Sequence, residues 1–194
     1  MTAGRGRLAL VTGAASARGR GLVAALLEAG WVVRALGDDG SPDGAPRSGA
    51  VEWIPGAARD ADRLAGAMRG VEVVFHLAVG VACAADEGFD DPVGSHVANA
   101  EGTLALLEAA RAAQVRRVVY ASSWQAAEPG TPHAVQLLAG ELYCGLYHRL
   151  HALETVSLRY PAGLSEGDAI RPARRAADAE DGLGAVVVLA EGRP

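Results

Sequence analysis

The residues whose types and spacing best suit chemistry are Gly13-Ala-Ala-Ser16-Ala-Arg18-Gly19, which follow the apolar run Leu8–Thr12 and open a helical pattern. A buried strand, a glycine-rich turn and a helix in that order make an anion site. The helix start presents unpaired N–H groups and a partial positive charge. The spacing is G-x-x-G-x-x-G with serine as its middle member. That serine carries a Cβ where the backbone usually approaches its ligand closely, at a cost of about 1–2 kcal/mol if the residue is left-handed. Its hydroxyl can recover part of this by bonding a phosphate oxygen. A tight strand–helix turn with no ligand is the alternative reading.

What the chain lacks is equally informative. All 18 basic residues are arginine, so no lysine is available for acid–base or imine chemistry. The two cysteines, Cys83 and Cys144, have no metal-ligand spacing and read as free thiols. A net charge of −5 argues against nucleic acid as the main partner. No apolar run reaches membrane-spanning length, and "MTAGRGRLALVTG" reads as a first strand rather than a signal peptide. The expected location is cytoplasmic.

Several elements must position the turn. Continuous Val/Leu/Ile runs predict strands at Leu8–Thr12, Trp31–Leu36, Val51–Ile54, Val71–Ala78, Val115–Ser122, Thr155–Arg159 and Ala185–Ala190. Helical periodicity predicts helices at Arg20–Ala29, Asp60–Met68, Ser95–Ala113 and Ala134–His151. The alternation implies right-handed crossovers and a parallel sheet covered on both sides. The expected fold is therefore α/β: a three-layer, Rossmann-type, doubly wound sheet of about seven strands. With 194 residues, the chain reads as one domain over 1–194.

Several segments also line up with a known family. "VTGAAS..G" (11–19), "VVRALG" (32–37), "VVFHLA" (73–78), "NAEGTLALLEAARAAQVRRVVYASS" (99–123) and "LETVSLRY" (153–160) occur in one order. This series resembles the extended short-chain dehydrogenase/reductase family, the NAD-dependent epimerase/dehydratase group. The resemblance implies NAD or NADP as cofactor. It places Gly13, Ser16 and Gly19 on the pyrophosphate turn, and Leu77 and Ala78 beside the adenosine and its ribose. Asn99 falls near the nicotinamide half, where its alternative is a helix-start or kink residue. At the strand end Ser122 falls among the cofactor-binding residues, and Ser123 falls on the residue that bonds the substrate oxygen, with a plain strand-end turn as alternative. It also implies a homodimer through helices 95–113 and 134–151.

The chain departs from that family where its catalysis resides. The tyrosine and lysine of the Tyr-x-x-x-Lys pair correspond to His133 and Leu137, counting back from Glu141. His133 can serve as a general acid or as a neutral helix-start residue after Pro132. Tyr143 lies too far along the helix, about 15 Å, to replace the missing tyrosine. Gly37 stands where an acidic residue usually grips the adenosine ribose, with Asp38 one place late. Its loss removes repulsion toward a 2′-phosphate, with Arg18 and Arg34 as candidate partners or as plain surface charge. This tilts the expectation toward NADP over NAD. "G-D-L" after the third strand reads Gly56-Ala57-Ala58, "R-P-x-N" reads Arg159-Tyr160-Pro161-Ala162, and the family's C-terminal substrate lobe is expected to be essentially absent.

Three functions remain open on the sequence. One is an atypical NAD(P)-dependent oxidoreductase or epimerase-type enzyme acting on a small molecule, with Ser123 and His133 as catalytic candidates. The second is an inactive module that binds NAD(P), or nothing, and serves as a nucleotide-binding, partner or regulatory subunit. The third is a non-redox lyase or cyclase in the old cleft.

Overall fold

The computed structural model describes residues 6–37, 42–77 and 89–189. Its seven strands are β1 (Leu8–Thr12), β2 (Val32–Gly37), β3 (Val51–Pro55), β4 (Val73–His76), β5 (Arg117–Ser123), β6 (Glu154–Tyr160) and β7 (Ala185–Val188). All pair in parallel, in the order β3-β2-β1-β4-β5-β6-β7. The strand order reverses at β1, which opens a crevice at the carboxyl ends of β1 and β4, the usual ligand position in such sheets. The Rossmann-type reading of the sequence holds.

The helices are α1 (Ala17–Glu28), α2 (Ala61–Ala67), α3 (Pro92–His96), α4 (Gly102–Ala112), α5 (Pro132–His151) and α6 (Glu166–Ala176). Between α3 and α4 the chain makes one π-helical turn, Val97–Glu101, so the predicted helix 95–113 is interrupted. On one face of the sheet, α1 and α6 pack Leu22, Val23, Leu26, Ala169 and Ala173 against Val11, Val33, Phe75 and Leu158. On the other face, α2, α4 and α5 bring Leu64, Leu106, Leu107 and Cys144 onto Leu10, Val74, Val118 and Tyr120.

The expectation of uniformly right-handed crossovers needs correction. The β6–β7 connection advances across the sheet in the same direction as β4–β5 and β5–β6, yet α6 covers the opposite face. This crossover therefore has the opposite hand. An ion cluster at the foot of the sheet holds it in place. Arg116 and Arg117 both bond Glu154, while their guanidiniums also reach the carbonyls of Ala177 and Ala176 at the end of α6. Arg7 joins Glu72 to Asp178 and lies over the Trp31 ring at 3.9 Å. Among the described residues no helix is long and apolar enough to cross a membrane.

Candidate functional site

The glycine turn is built on β1 and closed by its serine. Gly13 has φ 66°, a left-handed conformation that favours glycine. The Ala14 N–H donates to Leu36 O at 3.1 Å, tying the turn to β2. Ser16 has φ −66° and ψ 161°, so the left-handed cost considered above does not arise. Its hydroxyl donates to Gly13 O at 2.8 Å and accepts from the Gly19 N–H at 3.0 Å, which makes Ser16 the N-cap of α1. A Cβ on Gly19 would overlap the Gly13 carbonyl and lie 2.6 Å from Ala14 Cα, so only glycine lets the helix sit this close to the turn. The N–H groups of Ala17 and Arg18 start the helix without intrahelical acceptors, and no acidic side chain occupies its first turn. A left-handed glycine, a close-packed third glycine and free first-turn donors together fit a pyrophosphate.

At the end of β2 the structure redistributes the arginines. Arg18 bonds Glu166 at 3.1 Å and lies over the Tyr160 ring, toward β6, on the other side of β1 from β2. Arg34 bonds Glu52 and donates to the carbonyls of Ala67 and Arg69, at the C-terminal end of α2. That end lies at the foot of the sheet. The hydrogen-bond partners of both guanidiniums lie elsewhere than at Gly37. Arg20 and Arg63, which sequence reasoning passed over, come to that region instead. The Arg20 guanidinium donates to Ala15 O at 2.5 Å, and Ala15 is the residue against which a Cβ on Gly37 would press, at 3.1 Å. Arg63 donates to Pro55 O at 2.6 Å, and Pro55 pairs with Gly37 across the β2–β3 ladder.

The carboxyl end of β4 delivers His76 and, just beyond it, Leu77. Leu77 is buried and donates its N–H to Thr12 O at 3.3 Å; Ala78 lies outside the described residues. His76 is sealed between two hydroxyls, with Nδ1 2.7 Å from Thr12 Oγ1 and Nε2 3.1 Å from Thr103 Oγ1. The Thr103 hydroxyl donates to Asn99 O at 2.6 Å. Thr103 therefore accepts from Nε2–H, which leaves Nδ1 to accept from Thr12. Burial pushes the His76 pKa down to about 3 and keeps the ring neutral. Asn99 lies on the π-helical turn, where its Nδ2 meets the amide of Gln136 at 2.7 Å, with Ser95 2.8 Å from the same group. Gln136 is 3% exposed and has no precedent in the sequence reading.

The end of β5 and the start of α5 supply the remaining groups. Ser122 donates to Glu141 at 2.5 Å, and Arg159 forms a two-point bond with the same carboxylate. Ser122 is thus part of a buried link between β5, α5 and β6. Ser123 turns its hydroxyl toward Gln125 and caps a short 3-10 turn, Trp124–Ala127. His133 is buried at the second position of α5, after Pro132. Leu137 is 1% exposed and its carbonyl accepts from the Tyr120 hydroxyl, so the place of the family's lysine is filled by core packing. Among the described residues no His/Cys/Asp/Glu group suits a metal ion.

A profile of the NAD-dependent epimerase/dehydratase family matches residues 9–194. The chain belongs to that family. It is 35% identical over 167 residues to UDP-glucose 4-epimerase of Mycolicibacterium smegmatis, covering 75% of this chain and 52% of that protein. It is 40% identical over 120 residues to sterol demethylase protein B of Methylococcus capsulatus, covering 60% of this chain and 34% of that one. The chain thus spans about half, or less, of the length of these relatives. An epimerase from Methanothermobacter thermautotrophicus superposes with TM-score 0.83 at 24% identity, covering 95% of this chain and 71% of its own; that likeness speaks for the fold. A Bordetella bronchiseptica enzyme solved with NAD+ gives TM-score 0.69 at 28% identity, covering 79% and 49%.

Proposed function

We propose that this family member binds a nicotinamide dinucleotide along the carboxyl ends of β1, β2 and β4 and does not use a tyrosine–lysine relay. The observation that carries the binding half is the turn itself: left-handed Gly13, close-packed Gly19, and a serine that caps α1 without backbone strain. Ser16 spends its hydroxyl on the turn and the helix, so the phosphate contacts fall to the first-turn N–H groups. The dinucleotide, when bound, supplies the hydride acceptor or donor.

Proton handling in this reading falls to Ser123, at the end of β5, and His133, at the start of α5, the positions to which the family resemblance points. Leu137 offers no ribose contact and cannot lower a neighbouring pKa. Turnover in this reading is slower than with a relay by the usual weight of acid–base catalysis, about 10²–10⁴. The substrate class proposed first is a sugar nucleotide, after the epimerase of M. smegmatis. The buried Leu137 favours one second reading, a nucleotide-binding partner or regulatory subunit with no turnover of its own.

Titration calorimetry of the full chain with NADPH, NADP+, NADH and NAD+ tests binding. Absorbance of the reduced nicotinamide with UDP-glucose as probe then tests turnover. Micromolar binding with slow turnover that His133→Ala and Ser123→Ala abolish supports the first reading. Binding without turnover supports the second. No binding at millimolar nucleotide overturns the first reading and the nucleotide-binding form of the second, and leaves a partner subunit or a non-redox cleft.

A further inference from the structure

The sheet face that α1 and α6 cover stays open at its β7 end, away from the glycine turn. Helix α6 offers the sheet only the small Ala169, Ala173 and Ala176, and it leans on α1. The approach there is close, since a Cβ on Gly21 of α1 would lie 2.7 Å from Ile170 Cδ1. The neighbours of α6 are α1, β6 and β5, which leaves β7 almost uncovered on this face. The result is a cavity of about 1090 Å³ between α6 and β7, a volume that suits a small-molecule site. Val156 and Leu158 of β6, with Val187 and Leu189, make its floor, while Leu26, Trp31 and Ile170 line it on the side of α1. Arg171, Arg174 and Arg175 line it as well, exposed and on one face of α6 by their spacing of three and four residues. Among the described residues these three side chains form no ion pair. Two carboxylates share the lining: Asp178, which Arg7 engages at 2.8 Å, and the exposed Asp181.

We propose that this cavity is a second ligand site, which takes an amphipathic anion: a long acyl chain ending in a carboxylate. It goes beyond the dinucleotide reading and does not depend on it. The acyl chain lies on the apolar floor, where each methylene removed from water tightens binding about fourfold. The carboxylate meets the guanidiniums of α6, whose planar forks suit a two-oxygen anion. The apolar floor alone would accept any apolar surface; the three cations select an acidic head. A second copy of the chain fits poorly, because a two-fold axis here would set the two arginine faces against each other.

The test is calorimetry of the full chain with dodecanoate below its micellar range, and with decanoate, dodecanol and acetate for comparison. One dodecanoate per chain is expected to bind in the micromolar range, decanoate about tenfold more weakly, and acetate not at all. Dodecanol should bind several-fold more weakly than dodecanoate at low salt. Arg171→Gln with Arg175→Gln should weaken dodecanoate about tenfold and leave dodecanol unchanged. Both side chains are exposed, so the fold should survive, as circular dichroism would verify. Val187→Trp should fill the floor and weaken dodecanoate and dodecanol alike; if that variant does not fold, the arginine variant decides. Dodecanoate should also change the fluorescence of Trp31, and Trp31→Phe should remove that signal while calorimetric binding persists. Uptake of many dodecanoates per chain, or dodecanol binding as tight as dodecanoate, overturns the site. So does dodecanoate binding that ignores the arginine variant. Absence of binding overturns it too, and leaves the cavity to be covered by a protein surface.

Discussion

His76, at the end of β4, is enclosed by Thr12, Thr103 and the ring of Tyr120, and its pKa falls to about 3 because burial disfavours the charged ring. Above pH 6.5 the ring is neutral in both folded and unfolded chains. Below it, the unfolded chain takes up a proton that the folded chain refuses, so stability falls as pH drops. The slope is about 1.4 kcal/mol per pH unit, or about 2 kcal/mol between pH 7 and pH 5. Glu72 and Asp178 have carboxyls held low by Arg7, and their contribution is lost only below the usual carboxylate range. In urea unfolding between pH 5 and 7 the difference between wild type and His76→Gln reads the His76 contribution, and the variant should have the flatter slope. Equal slopes in the two would mean that the folded chain protonates this ring. The second residue-scale expectation concerns Ser16. Ser16→Ala removes the N-cap and should cost about 1 kcal/mol in the same experiment, whereas Ser16→Gly should cost only a few tenths. Because Ser16 is extended, glycine brings no relief of strain, and a stabilised Ser16→Gly variant would contradict the cap.

At the scale of elements, α5 is fixed against β5 through glycine. A Cβ on Gly140 would crowd the Tyr120 hydroxyl and stand 2.5 Å from its Cζ. Gly140→Ala should destabilise by about 1–3 kcal/mol through this overlap, despite alanine's better helix propensity. Unchanged or raised stability on denaturant unfolding would show that the ring has room to move. The strands were legible because each is a short apolar run, buried on both faces in the central β1, β4 and β5, and β1 was read to the residue. Helix α6 was not, because four of its eleven residues are arginine or proline-interrupted sequence and its core contacts are the small Ala169, Ala173 and Ala176. The π-helical turn at Asn99 leaves the apolar pattern intact, so periodicity gave no sign of it. The turn residues Gly13, Ser16 and Gly19 were legible from spacing. Which arginine packs on the glycine turn was not: Arg20 bonds Ala15 O, while Arg18, two residues away and about 200° around the helix, bonds Glu166. Gln136 was hidden for a different reason, since its partner Asn99 comes from a distant helix.

At the scale of the molecule, the candidate site lies at the carboxyl edge and the ion cluster at the foot, and neither involves the exposed face of α5. On α5, Val135, Leu142 and Leu150 are 54%, 66% and 66% exposed, and their spacing of seven and eight residues puts them on one stripe. Leu138 and Leu146 continue it, half-buried. Large side chains exposed in a row on a helix are what a partner helix covers. The resemblance of the chain to a family that pairs through these helices gives the proposed partner, a second copy meeting across α4 and α5. Sedimentation at micromolar concentration should then show a dimer. Val135→Glu with Leu142→Glu should dissociate it, because two carboxylates per chain would be desolvated without partners. Both positions face solvent in the single chain, so the fold and the His76 pH slope should survive the change. A wild type that sediments as a monomer at high micromolar concentration would remove the dimer and leave the stripe to be covered by something other than a second copy.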